Sequence, residues 1–150
     1  MRIQSFTPML SALAISAAIF SASPALAETI KMTATLDGAQ QSPPVTTKGK
    51  GTATLRFNTA TKKLSWTVRY SGLSGPATAA HIHGPAAKGQ SADPVVPFEG
   101  KLKSPIKGSA TLTDAQATDL EAGKYYVNIH TKKNPDGEIR GQIEKAAATM

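Results

Sequence analysis

"GTATLRFNTATKKLSWTVRY", residues 51–70, decides the fold class. Ala53, Leu55 and Phe57 alternate with Thr52, Thr54 and Arg56, and beyond "NTATKK" Leu64, Trp66, Val68 and Tyr70 alternate with Ser65, Thr67 and Arg69. A period of two puts successive side chains on opposite faces of a strand, so each half is a half-buried strand and the polar stretch between them is the turn of a hairpin. Upstream, "TIKMTATL" (29–36) repeats the pattern, with Ile30, Met32, Ala34 and Leu36 set against Thr29, Lys31, Thr33 and Thr35. Downstream, "PIKGSATL" (105–112), "KYYVNIHT" (124–131) and "GEIRGQIE" (137–144) read as further strands, the last entered through the turn signal "NPDG" (134–137). Between two of them "TDAQATDLEAG" (113–123) offers Thr113 as an N-cap, acidic residues and a closing Gly123, which predicts a short helix. About seven or eight short strands and no long helical pattern predict an all-β domain, an antiparallel β-sandwich or Greek-key barrel with one short helix.

The N-terminus reads as an address rather than as part of that domain. Arg2, the apolar "PMLSALAISAAIF" (8–20) and the small-residue ending "SASPALA" (21–27) make a signal peptide over residues 1–27, leaving 28–150 as a single β domain. The apolar run falls well short of the ~20 residues of a membrane span, so the expected product has no transmembrane segment and is periplasmic or secreted. Without the leader, 16 basic residues stand against 10 acidic ones, a net charge of +6. The lysines are spread through turns and strand edges with few aromatic residues among them, which argues against nucleic acid as a partner. An exported location leaves an envelope or extracellular protein partner as an expectation.

The chain has no cysteine and three histidines. Any metal site must therefore be built from imidazole, carboxylate or backbone. In "AAHIHG" (79–84) His81 and His83 share a face with Ala79, while Ala80 and Ile82 take the other; in "YYVNIHT" (125–131) Tyr125, Val127 and Ile129 form the apolar face and leave Tyr126, Asn128 and His130 on its reverse. Both segments thus turn their imidazoles away from the core, and if the strands are neighbours the three rings converge on one outer patch. Opposed side chains on paired strands stand about 4.5–5.5 Å apart at Cβ, a distance across which two imidazoles can share an ion. His81, His83 and His130 are accordingly the candidate metal ligands, with copper as the favoured metal and zinc as the alternative, since imidazole suits both and copper(II) binds the tighter. Around them, Glu138 is expected to accept from an imidazole, Arg140 to steer by its charge, Asn128 to hydrogen-bond a ring N–H, and Tyr126 to border the patch. Asp93 and Asp136 read as turn formers. No nucleophile elbow, phosphate-cradling loop or paired carboxylates are marked by spacing, so no catalytic residue and no organic cofactor are expected.

"AAHIHGPA" (79–86) together with "GSATLTDAQATDLEAGKYYVNIHTKKNPDGEIRGQI" (108–143) resembles the CHRD domain, which takes its name from chordin and is also common in small exported bacterial proteins. The resemblance runs from about Thr29 to Ile143 and implies a β-sandwich-like extracellular module. More weakly, "AHIHG" is similar to the His-x-His strand of copper/zinc superoxide dismutases, which carry copper on the outer surface of a Greek-key barrel. Three histidines are too few for that family's copper and zinc sites together. Three readings stay open: a domain that binds metal, most of all copper; a non-catalytic extracellular or envelope-binding module; and a mononuclear copper oxidoreductase.

Overall fold

The computed structural model describes residues 27–147, so the leader expectation lies almost wholly outside the described residues. The chain forms β1 (Thr29–Asp37), β2 (Lys50–Asn58), β3 (Lys63–Ser71), β4 (Ala77–His83), β5 (Pro94–Pro97), β6 (Ile106–Thr111), α1 (Asp114–Glu121), β7 (Tyr126–Thr131), β8 (Ile139–Gln142) and β9 (Glu144–Lys145). Alternation drives the first three as the sequence requires: Met32, Ala34, Leu36, Ala53, Leu55, Phe57, Leu64, Trp66 and Val68 are buried, and the threonines between them face outward. No described helix is long and apolar enough to cross a membrane.

All pairings are antiparallel, in the spatial order β5-β4-β7-β8-β1-β2-β3-β6, with β9 added to β1. The sheet curls so that its two ends meet around one core. Phe98, just past β5 at one end, stacks on Trp66 of β3 near the other, ring centroids 4.6 Å apart and 20° from parallel. The result is a nearly closed barrel. Gly108 of β6 lies opposite Trp66 in register, and a Cβ there would come within 2.6 Å of the indole, so the indole packs over the strand only because residue 108 has no side chain.

The stretch 84–98, which carries no clear periodicity, contributes one strand that alternation does not reveal. β5 is four residues, "PVVP", paired along the outer edge of β4 with a register shift at Ile82/His83. Proline lacks the N–H that an interior strand needs, and an edge strand tolerates that loss.

Helix α1 starts as expected at Thr113. The Thr113 hydroxyl accepts from Gln116 N–H at 3.2 Å and the Gln116 side chain accepts from Thr113 N–H at 3.0 Å, a reciprocal capping box. Ala117 and Leu120 are the helix residues that reach the core. Thr113→Ala is expected to lower stability by about 1 kcal/mol, measured by urea unfolding, with the strand signal of the folded protein unchanged.

Candidate metal centre

Strands β4 and β7 are neighbours, with Ala79 opposite His130, His81 opposite Asn128 and His83 opposite Tyr126. His130 is therefore diagonal to His81 rather than directly across, a separation that two ring-length side chains span. The three rings come together: centroids lie 5.1 Å apart for His81 and His130, 5.4 Å for His81 and His83, and 5.8 Å for His83 and His130. One ring nitrogen from each lies within 4.8 Å of those of the others, close enough to hold a metal ion.

The patch is not solvent-facing as the alternation suggests. His83 and His130 are each 8 % exposed, and Tyr126 and Asn128 are buried beside them; only His81 stands half open. The cause is a second layer of loops. Residues 38–45 reach over β7, where Gln41 Nε2 donates to Asn128 Oδ1 at 2.8 Å, and residues 84–93 fold back so that Ala92 meets His83 and Tyr126. Gly137 closes the β7–β8 turn at a φ of +127°, and a Cβ there would collide with the Asn128 amide.

Hydrogen bonds fix which nitrogens face the centre. His83 Nδ1 bonds Ala92 O at 2.9 Å and His130 Nδ1 bonds Pro135 O at 2.8 Å. A carbonyl only accepts, so both Nδ1 atoms carry the proton, and in the singly protonated tautomer each ring presents a bare Nε2. His81 Nδ1 lies 3.2 Å from His130 Nε2 and donates to it. His83 Nε2 is buried with no partner among the described residues. A buried lone pair without a donor is costly, and a cation held by the three rings would supply what it lacks. Burial, and next the His130 ring, hold His81 below the usual imidazole pKa; His83 is lowered by burial first, against the raising effect of its bond to Ala92, with His130, His81 and Arg140 adding to the lowering. Both rings are thus kept neutral, the form in which imidazole binds metal.

The surrounding residues have tasks other than those expected for most of them. Tyr126 stacks on His83, centroids 5.0 Å apart and 15° from parallel, and its hydroxyl donates at 3.1 Å to Ala92 O, the same carbonyl that holds His83. Asn128 touches no ring N–H: it accepts from Gln41 and donates to Asp136 O at 3.1 Å, bracing the loops instead. Arg140 is buried with its Cζ 3.5 Å over the Tyr126 ring, behind the histidines rather than at their mouth.

Glu138 orients no imidazole. It is fully buried, and its carboxylate accepts from Thr47 Oγ1 (2.6 Å), Ser74 N (2.8 Å), Ser74 Oγ (2.5 Å), Thr131 Oγ1 (2.7 Å) and Asn134 Nδ2 (3.1 Å). Burial alone would raise this carboxyl, but the bonds from Ser74, Thr47 and Thr131 outweigh it and hold the pKa at about 2. The groups that position the rings most directly, Ala92 O and Pro135 O, are backbone carbonyls. Side-chain identity says nothing of them, although the turn signal that contains Pro135 begins only four residues after His130.

Fold and site together define a small antiparallel β module with three imidazoles gathered under its loops. The chain belongs to the CHRD domain family, whose family model matches residues 32–143, a span that includes all three histidines. No curated protein and no solved structure matched the chain.

Proposed function

We propose that this protein is an exported CHRD module that holds one metal ion, copper in preference to zinc, through His81, His83 and His130. The observation that carries the reading is the Nε2 of buried His83, which has no partner among the described residues and belongs to a ring that, with His81 and His130, offers a nitrogen within 4.8 Å of those of the other two. Two of the three rings are already held by carbonyls in the tautomer a ligand needs, the usual way a protein orients metal-binding histidines. The third requires only that the His81 proton move from Nδ1 to Nε2. A metal–imidazole distance of about 2.0–2.1 Å puts ligand nitrogens of a tetrahedral site roughly 3.3 Å apart, and the His81–His130 pair stands at 3.2 Å. Three imidazole nitrogens without thiolate or carboxylate favour copper by the ordinary affinity order, with zinc next. The signal-like leader and the extracellular character of the family support export to the periplasm or the medium.

Equilibrium dialysis against equal copper and zinc at neutral pH tests this. One copper per chain and little zinc is the expected result; binding of neither metal overturns the reading and leaves the module as a protein- or envelope-binding domain whose histidines only brace loops. Superoxide turnover by the copper-loaded protein separates an oxidoreductase from a module that only holds the ion, and the expected rate is that of free buffer.

A further inference from the structure

Arg140 carries a charge into the layer beneath the loops and meets no acid there. It is 2 % exposed, Nη2 donates to Gln90 O at 2.6 Å, and no ion pair among the described residues includes it. Asp37 lies opposite it in the β1–β8 register, but that carboxylate accepts from the Gln40 N–H at 3.0 Å instead. The Tyr126 ring covers one face of the guanidinium. Nε and Nη1 have no acceptor among the described residues and are not sealed off from solvent. A guanidinium only 2 % exposed, with no acid paired to it and most of its fork open only to solvent at the pocket, is a charge that an anion entering there would pair.

Beside it opens a pocket of about 220 Å³, lined by Arg140, Lys88, Gly89, Gln40, Gln41 and Gln142, with Ala39 at its edge. The wall holds two cations and no carboxylate. Lys88 approaches Glu144 only at 3.8 Å, and both of those side chains are largely exposed, so its ammonium is weakly engaged. We infer that this pocket binds a small oxyanion, a phosphate or a carboxylate of a few heavy atoms, gripped by the Arg140 fork and closed over by Lys88. A planar fork matches two oxygens of either group, and an anion there neutralises the buried charge that the chain itself leaves unpaired. The site lies on the far side of Tyr126 from the register partner His83 and does not depend on the metal reading, so the metal-free protein tests it.

Inorganic phosphate, acetate and chloride are titrated into the metal-free full chain at constant ionic strength, followed by calorimetry and amide NMR. The expected result is saturable one-to-one binding of phosphate, weaker binding of acetate, none of chloride, and shifts at Lys88, Gly89 and Arg140. Lys88→Ala, at an exposed position, is expected to weaken binding several-fold without changing the unfolding temperature. Arg140→Lys keeps the charge but loses the fork, and is expected to weaken it by at least about tenfold. Absence of saturable binding overturns the inference. So does binding that leaves the pocket amides unmoved and is unchanged by Lys88→Ala, a result that decides the matter even where Arg140→Lys fails to fold.

Discussion

His81→Ala is expected to lower copper affinity by more than about 100-fold while leaving the metal-free protein folded. Loss of groups that merely orient a ligand costs 10–100-fold in metal affinity, and loss of one of three ligands costs more. His81 is the ligand to remove because it is the half-open one, and water can replace its bond to His130 Nε2 when it is gone. His83 sits on Tyr126 and beneath Ala92, so its removal would confuse a lost ligand with a lost packing element. Calorimetric titration of copper into parent and variant, with unfolding temperatures of both metal-free proteins, separates the two effects. Equal copper affinity in the two proteins would show that His81 is not a ligand. Protons compete for the same nitrogens, so bound copper is expected to be released as pH falls. Because burial holds His81 and His83 below the ordinary imidazole value of about 6.5, release sets in below that pH rather than at it.

Glu138→Ala is expected to be the most destabilising single substitution outside the hydrophobic core, by about 3–5 kcal/mol, because several buried donors lose their shared acceptor at about 1–3 kcal/mol each, partly offset by relaxation and entering water. Five donors from four residues converge on this carboxylate. Those residues tie the segment before β2, the β3–β4 connection and the β7–β8 turn to one another. The same turn carries Pro135, whose carbonyl holds His130, so loosening Glu138 is expected to blur the metal site as well. Glu138→Gln offers an NH₂ to a ring of donors and is expected to recover little of the loss. The pH dependence identifies the group. The folded pKa, about 2, lies below the ordinary 4.5, so the stabilisation is complete above pH 4.5 and is lost as pH falls through 2. Urea unfolding across that range is expected to show this acid limb in the parent and a flattened one in Glu138→Gln. A parent whose stability is flat from pH 5 to about 2 would contradict the assignment.

Most strands were legible because alternation is a local property of the chain. "LSWTVRY" and "TIKMTATL" declare their buried faces in their own letters, and Thr113 announces the helix. β5 was not legible, since "PVVP" carries two prolines and is ordered only by the edge of β4. The adjacency of β4 and β7 was an assumption in the sequence and a fact of the sheet. What alternation misjudged is the far side of β7: it marks Tyr126, Asn128 and His130 as the polar face, and they are polar, yet loops drawn in by Gln41 and Ala92 bury them. Long-range coverage of that kind leaves no periodic trace. For the same reason the sequence does not show where Glu138 and Asn128 make their hydrogen bonds, since the hydroxyls and amides that claim them come from Thr47, Ser74 and Gln41, distant in sequence.

X-ray absorption on protein loaded with one equivalent of copper and dialysed is the most direct measurement of the central claim. Three imidazole nitrogens are expected at about 2.0 Å from the metal, falling to two in His81→Ala. Copper that dialyses away from the parent, or stays with one imidazole or none in its first shell, would contradict it.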